Sequence, residues 1–137
     1  MSTTIQLPNQ AFPATTGEVN LTELGTDWLV VYFYPKDSTP GCTTQAVDFT
    51  ALKPQFDALN TTIIGISRDS VKAHQNFTEK QSLGINLISD KEEVLCQIFD
   101  VIKEKNMYGK KVKGIERSTF IFHQGQLLKE YRKVKAA

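Results

Sequence analysis

The stretch WLVVYFYPKDSTPGCTTQAVDF, residues 28–49, decides the fold of this chain. Residues 28–34 are almost all aromatic or β-branched, which predicts a strand that is buried on both faces. The run is too short to cross a membrane. Pro35 ends that strand, a polar loop follows, and Pro40-Gly41 predicts a tight turn directly before Cys42. Apolar residues recur at helical spacing after Cys42, so Cys42 is predicted to lie in the first turn of a helix.

A cysteine at the start of a helix is placed where an anion is favoured, because the first N–H groups lack acceptors and the helix dipole is positive there. Helix N-termini and nearby cations lower a cysteine pKa from about 8.5 to roughly 3.5 to 7.5, which makes the thiolate a major form. The alternative is that Cys42 is a small buried hydrophobic residue, a common role of free cysteine. Open α/β sheets carry their sites at the carboxyl ends of strands, so a reactive thiol is favoured.

The remaining segments predict further strands and helices around the first strand. Residues 61–67 are rich in β-branched residues and predict a second buried strand, joined to the first by a right-handed parallel crossover. Ser70 is predicted to cap a helix that runs to about residue 80. On this helix His74 could be a proton carrier, but a partly exposed histidine is the favoured interpretation. The other expected elements are an N-terminal arm or hairpin, a short strand at 83–89, a helix capped by Ser89 or Asp90, a strand at 115–123 and a hairpin into 126–131.

Composition and charge exclude several classes of protein. The chain has 137 residues and a formal net charge of +1, so we expect one domain over residues 1–137 and no nucleic-acid partner. Five lysines in residues 103–113 could form a basic patch for an acidic partner, but a solvated loop or hairpin is favoured. We expect no membrane association, because the chain shows neither a secretory leader nor a run of about 20 apolar residues. A cytoplasmic protein is expected.

The two cysteines, Cys42 and Cys96, form neither a Cys-x-x-Cys motif nor a cluster with metal-ligand spacing. The spacing therefore predicts no metal site. Cys96 lies on the predicted third helix, where it is either a small packing residue or a thiol that condenses with oxidised Cys42. The second role requires the two α-carbons to approach within about 7 Å. The packing role is favoured.

Arg117 interrupts a predicted strand face that otherwise carries isoleucine and threonine. A guanidinium is costly to desolvate there unless an anion meets it. The thiolate of Cys42 is one candidate anion, and a structural ion pair with Glu116 or Glu130 is the other. The residues alone favour neither.

A resemblance to a known family favours the thiolate of Cys42, because Arg117-Ser118-Thr119-Phe120 matches the position of that family's active-site arginine. Pro35, Thr39, Cys42, Thr43 and Gln45 match the peroxiredoxin pattern P-x-x-x-T-x-x-C-T-x-E/Q. The segment FYPKDSTPGCTTQ resembles the bacterioferritin-comigratory (BCP or PrxQ) branch, and the similarity continues through GISRDSVKAHQNF, LISDKEEVLCQIFDV and NMYGKKVKGIERSTF. The resemblance implies an α/β protein with a thioredoxin-like (peroxiredoxin) fold, in which a central mixed β-sheet is flanked by helices.

The resemblance also implies an activity, a thiol-dependent peroxidase that reduces hydrogen peroxide and organic hydroperoxides in antioxidant defence and cell redox homeostasis. Cys42 would be oxidised to a sulfenic acid, with Thr39 and Arg117 as the other catalytic residues. The substrate pocket would be formed by Pro35, Pro40, Gly41 and Gln45. Thioredoxin, glutaredoxin or glutathione would be the reductant, and no metal or organic cofactor would be required.

Two features depart from the family's usual pattern. Relatives carry a resolving cysteine either five residues after the first one, where this chain has Val47, or on the next helix, where it has Thr78. A one-cysteine cycle with an external thiol is therefore expected, with Cys96 as a weaker candidate for the resolving thiol. The sequence also stops at Ala137 without the family's usual C-terminal helix, either naturally or through truncation. One face or edge of the sheet would then be left uncovered unless another chain or the N-terminal arm covers it, and a monomer or a weak homodimer is expected.

Two other classes of function use the same fold. A thioredoxin-like thiol-disulfide oxidoreductase would need the second cysteine of Cys-x-x-Cys, and position 45 is glutamine. A noncatalytic interaction module would not need Thr39, Cys42 and Arg117 together. Both alternatives are less favoured than the peroxidase.

Overall fold

The predicted first strand lies in the interior of the main sheet, with neighbours on both sides, and is buried over nearly its whole length. The structure is a computed structural model that describes residues 5–24, 27–37, 40–107 and 109–132. Within these ranges the strands are β1 (Ala11–Ala14), β2 (Gly17–Asn20), β3 (Trp28–Phe33), β4 (Thr61–Ser67), β5 (Asn86–Ser89), β6 (Ile102–Met107), β7 (Lys110–Ile115), β8 (Ser118–His123) and β9 (Gln126–Tyr131). The helices are α1 (Pro40–Ala58), α2 (Val71–Gln81) and α3 (Val94–Ile98), and a 3₁₀ turn covers Leu21–Glu23.

The main sheet is mixed and has the strand order β2-β1-β5-β4-β3-β8-β9. Strands β3, β4 and β5 are parallel, and β8 runs antiparallel to β3. The expected α/β architecture, a mixed sheet flanked by helices, is therefore confirmed. Strands β6 and β7 form a separate hairpin at the lysine-rich segment, as the favoured interpretation predicted. Among the described residues, no helix is both long and apolar enough to cross a membrane.

The sheet separates two hydrophobic cores. Neighbouring residues of a strand point to opposite faces, so Val31 and Phe33 belong to one core whereas Val30 and Tyr32 belong to the other. Helices α1 and α2 pack on the face of Tyr32, and α3 packs on the face of Phe33. Because β3, β4 and β5 are parallel, the loops before α1, α2 and α3 all lie at the same edge of the sheet, which is formed by the carboxyl ends of these strands.

Several boundaries differ from the sequence predictions. Pro40 and Gly41 are the first residues of α1 rather than a separate turn, because proline fits the first helical position, where its missing N–H is not needed. The predicted strand at 83–89 begins only at Asn86, since Ser82 ends α2 in the left-handed conformation (φ 53°) and a connecting segment follows. The predicted strand at 115–123 is interrupted at 116–117, which separates β7 from β8.

The third helix is shorter than predicted and starts later. It begins at Val94, after Glu93 in the left-handed conformation (φ 60°). Asp90 nevertheless caps it, because its two carboxylate oxygens accept from the backbone N–H groups of Leu95 (3.2 Å) and Cys96 (2.8 Å). The last residues of the chain, 133–137, lie outside the described ranges, so the expectation about a missing C-terminal helix stays a prediction.

Candidate active site

Cys42 is the third residue of α1, in the first turn of the helix, as predicted. Its side chain is 1% exposed and packs in the core on the α1 and α2 face, together with Tyr34 and Ala46. The backbone N–H groups of a helix's first turn have no acceptor within the helix. The helix start therefore offers Cys42 an environment that favours a negative charge.

Arg117 lies at the same edge of the sheet as Cys42. It directly precedes β8, whose first residue, Ser118, pairs with Phe33 at the end of β3. From this position the Arg117 Nη2–H group donates to the Cys42 sulfur at 3.1 Å, and Nη1–H donates to Gln45 Oε1 at 2.7 Å. The group that meets Arg117 is thus the sulfur of Cys42, whereas Glu130 pairs with Arg132 (3.3 Å).

Gln45 fixes the direction of the guanidinium. It lies one helical turn after Cys42, is 8% exposed, and accepts from the nitrogen of Arg117 that does not face the sulfur. A planar guanidinium with two fixed partners loses little rotational freedom when the sulfur becomes charged. Arg117 supplies a cation, Gln45 orients it, and Cys42 is the nucleophile. This arrangement can stabilise a thiolate and the charge that develops on a departing oxygen.

The structure describes the other residues of the predicted site only in part. Pro35 is half-buried in the loop after β3, and Gly41 is half-buried in the first turn of α1. Pro40 starts α1, and its side chain is not described. The expectation for Thr39 lies outside the described residues, so the structure neither adds to it nor removes it.

Cys96 lies in the opposite core from Cys42. It is fully buried on α3 among residues of the Phe33 face. Burial raises the pKa of the Cys96 thiol far above its usual range, and the hydrogen bond to Asp90 and the charge of that carboxylate raise it further. Because the attacking form of a thiol is the thiolate, this environment favours the packing role of Cys96.

His74 is fully buried, which corrects the interpretation of a partly exposed helix histidine. Its Nδ1 atom lies 2.6 Å from Asp37 Oδ2, and its Nε2–H donates to the carbonyl oxygen of Ile88 at 2.9 Å. The spacing of His74 and Phe77, which share the inward face of α2, was the sequence signal for burial. The partner Asp37 could not be found from the sequence, because it belongs to a different element.

Asp37, Asp69 and His74 come together as a group that sequence spacing did not show, with potential ligand atoms within 4.8 Å of one another. Asp69 Oδ2 accepts from the backbone N–H of Asp37 (2.8 Å) and from the hydroxyl of Ser67 (2.6 Å). The His74 nitrogens and the Asp37 carboxylate are likewise engaged in hydrogen bonds. The group is satisfied internally, so its geometry is explained without a metal ion.

Comparisons with known proteins agree with this geometry. Residues 3–131 match the model of the AhpC/TSA family. Peroxiredoxin Bcp of Xanthomonas campestris pv. campestris is 62% identical over 111 residues, which cover 80% of this chain and 69% of the relative. Peroxiredoxin Bcp of Bacillus subtilis is 48% identical over 118 residues, covering 85% of this chain and 75% of the relative.

A solved structure is also closely similar. The bacterioferritin comigratory protein of Xanthomonas campestris, studied for its alkyl peroxide reduction activity, superposes with a TM-score of 0.89 at 51% identity, covering 96% of this chain and 88% of that one. Sequence, fold and the residues around Cys42 thus point the same way. The chain belongs to the AhpC/TSA family and, within it, to the peroxiredoxins of the Bcp (PrxQ) group, which are thiol-dependent peroxidases.

Proposed function

We propose that Cys42 is the residue that reduces the peroxide and that Arg117 activates it. The observation that carries this proposal is the hydrogen bond from Arg117 Nη2–H to the Cys42 sulfur, 3.1 Å long, at the start of α1. A guanidinium and a helix N-terminus that meet at one sulfur both favour the thiolate, the form that attacks peroxides.

The chemical step transfers one oxygen atom to sulfur. The Cys42 thiolate attacks the terminal oxygen of the hydroperoxide, the S–O bond forms, and the O–O bond breaks. The electron pair of the O–O bond leaves with the remaining oxygen, which takes up a proton and departs as water or an alcohol. Cys42 is left as a sulfenic acid. Arg117 stabilises the charge that moves from the sulfur to the departing oxygen.

The neighbours of Cys42 have separate tasks in this proposal. The Thr39 hydroxyl would hydrogen-bond the bound peroxide, and the N–H groups of Gly41 and Cys42 would complete the oxygen-binding pocket. Pro35 and Pro40 would limit access of bulk water to the sulfur. Gln45 holds the guanidinium in place through its 2.7 Å hydrogen bond.

The sulfenic acid is then reduced by two external thiols in a one-cysteine cycle. The first thiol forms a mixed disulfide with Cys42 and releases water, and the second regenerates the Cys42 thiol as the disulfide of the reductant forms. Burial of Cys96 in the opposite core supports this cycle, because a Cys42–Cys96 disulfide would need α-carbons within about 7 Å. Thioredoxin, glutaredoxin and glutathione are the proposed reductants, which implies a reducing compartment such as the cytoplasm.

The proposed substrates are hydrogen peroxide and organic hydroperoxides. The alkyl peroxide reduction activity studied in the Xanthomonas campestris protein supports the second class. Cys42, Gln45 and Arg117 come from a single chain, which supports an enzyme that works as a monomer or a weak homodimer.

The direct test is peroxide consumption by Cys42→Ser and Cys96→Ser, with thioredoxin, glutaredoxin or glutathione supplied in turn. We expect Cys42→Ser to lose turnover with every reductant and Cys96→Ser to retain the first oxidation step nearly unchanged. Undiminished turnover in Cys42→Ser would eliminate the assignment of Cys42. Loss of turnover only in the later cycles of Cys96→Ser would replace the one-cysteine cycle by one in which Cys96 resolves the sulfenic acid.

A further inference from the structure

Asp37 is a buried carboxylate in the loop that joins β3 to α1, between Pro35 and Pro40. Only 5% of its side chain is exposed. An isolated carboxylate at such a position is costly to desolvate, and a structure keeps it there only with a full set of partners. The proposed chemistry at Cys42 makes no direct use of this residue, so its burial needs a separate explanation.

The partners of Asp37 come from several elements around the active edge of the sheet. Oδ1 accepts from the Tyr34 hydroxyl at 2.5 Å, Oδ2 faces His74 Nδ1 at 2.6 Å, and the backbone N–H donates to Asp69 Oδ2 at 2.8 Å. Burial raises the pKa of Tyr34 well above its usual range, and the charge of Asp37 raises it further, so the hydroxyl keeps the proton that it donates. Asp37 is therefore tied to the end of β3, to the turn after β4 and to α2.

His74 completes the connection to the next strand. Its Nε2 atom must carry a proton, because the carbonyl oxygen of Ile88 on β5 can only accept. The Nδ1 atom lies 2.6 Å from Asp37 Oδ2, so both ring nitrogens are occupied. His74 is fully buried, which leaves no free nitrogen for proton exchange with a substrate. A positioning role explains this geometry and a proton-carrier role does not.

We propose that His74 and Asp37 are positioning residues that hold the loop before α1, and so keep Cys42 in line with Arg117. This inference rests on the proposed function of Cys42. Asp37 is fixed only three residues before Pro40, where α1 begins, so its anchor controls where the helix start lies. The sulfur to guanidinium distance of 3.1 Å leaves little tolerance for movement of that helix start. A displacement of about 1 Å in an active site can reduce a rate by about a hundredfold.

Two substitutions of His74 separate its two hydrogen bonds. The amide of asparagine reaches the position of Nδ1, so His74→Asn keeps a partner for Asp37 and loses the bond to Ile88. The longer side chain of glutamine reaches the position of Nε2, so His74→Gln keeps the bond to Ile88 and loses Asp37. The readouts are the pH midpoint of the thiolate absorbance of Cys42, which needs no peroxide, and the second-order rate constant of Cys42 oxidation. Cys96 does not disturb the titration, because burial raises the pKa of its thiol out of the range scanned.

We expect His74→Gln to raise the pH midpoint of the Cys42 thiolate and to slow oxidation by about tenfold or more. His74→Asn should stay within about threefold of the wild-type rate, with the KM for the reductant unchanged in both variants. Equal loss in both variants, no loss in either, or loss in His74→Asn alone would each overturn the proposal. If a histidine variant does not fold, Tyr34→Phe removes one hydroxyl from Asp37, and an unchanged midpoint and rate in that variant would overturn the proposal as well.

The experiment also separates this proposal from the assignment of Cys42. If Cys42 is not the peroxide-reducing residue, Cys42→Ser retains activity. The positioning role of His74 and Asp37 is then tested by the thiolate midpoints of the His74 variants alone, because that readout needs no peroxide. If only the positioning role is wrong, Cys42→Ser is inactive while the His74 variants titrate and react like the wild type.

Discussion

Arg117 is the only residue among those described that donates a hydrogen bond to the sulfur of Cys42, and the proposed activity depends on this contact. Replacing it by alanine removes both the cation and the donor. We expect Arg117→Ala to raise the pH midpoint of the Cys42 thiolate absorbance and to slow oxidation by about a hundredfold. The sign follows from charge, since loss of a nearby cation disfavours the anion and thiolate appears only at higher pH.

A matched control for the loss of charge is Lys53→Ala. Lys53 lies on the same helix, is 42% exposed and pairs with Asp57, so solvent screens its charge. We expect the pH midpoint of the Cys42 thiolate and the rate of Cys42 oxidation in Lys53→Ala to stay close to those of the wild type. A midpoint in Arg117→Ala equal to that in Lys53→Ala would remove Arg117 from the proposed role.

Gln45 is expected to act through Arg117. Gln45→Leu keeps the size of the side chain but removes the oxygen that accepts from Nη1, so the guanidinium loses one of its two fixed partners. We expect the rate of oxidation to fall by about tenfold, which corresponds to one hydrogen bond to a charged group. Gln45→Glu retains an acceptor and should keep Arg117 in place. If Gln45→Leu reacts as fast as the wild type, the orienting role of Gln45 is wrong.

At the scale of the elements, the packing of α1 on the sheet depends on Gly65 in β4, because the side chains of Tyr32 and Leu87 lie directly against it. A Cβ atom at this position would lie 2.7 Å from Leu87 Cδ2 and 2.8 Å from both Cζ and the hydroxyl oxygen of Tyr32. The Tyr32 ring in turn stacks on Phe49 of α1, with ring centroids 4.7 Å apart. Any side chain at Gly65 therefore pushes Tyr32 toward the helix that carries Cys42.

We expect Gly65→Ala to lower the free energy of unfolding by about 1 to 3 kcal/mol, the usual cost of overpacking a core. Its control is Gly84→Ala, whose Cβ atom would meet only the flexible side chains of Lys53 at 3.3 Å and Thr50 at 3.5 Å. Urea unfolding of both variants checks the prediction. Equal midpoints for the two variants would show that the Tyr32 contact is not tight.

Elements with a strong local signal were predicted correctly from the sequence. The buried strand, the helix start at Cys42 and the Ser70 cap each follow from neighbouring residues, and Ser70 indeed accepts from the N–H of Ala73. The interruption at 116–117 was missed, because the alternation of apolar residues continues across it. The first residue of β8 pairs with Phe33, and this long-range pairing decides where the strand begins.

For the whole molecule, the sheet decides which side chains meet, and this could be predicted only in part. Cys42 and Arg117 were brought together by the family resemblance, since the residues alone left an ion pair with glutamate equally possible. The burial of His74 depends on Asp37 in another element, and no local pattern shows that pairing. The placement of Cys42 and Cys96 in separate cores likewise depends on the packing of α3, which its sequence did not fix.

The separation of the two cores predicts different reactivity of the two thiols. Burial, the hydrogen bond to Asp90 and the charge of Asp90 raise the pKa of the Cys96 thiol, so it stays protonated across the neutral pH range, whereas the equally buried Cys42 accepts a hydrogen bond from Arg117. We expect an alkylating reagent to modify Cys96 only after unfolding in denaturant, as checked by the mass of the labelled peptides. Labelling of Cys96 in the folded protein as fast as that of Cys42 would contradict the placement of Cys96 in a closed core.

The central claim is that one sulfur, Cys42, takes the oxygen from the peroxide without help from Cys96. The most direct measurement is peptide mass spectrometry after one equivalent of hydroperoxide, with a reagent present that traps sulfenic acids. The account predicts the adduct on the peptide that carries Cys42 and a free thiol on the peptide that carries Cys96. An adduct on Cys96, or a disulfide that joins Cys42 to Cys96 within one chain, would contradict it.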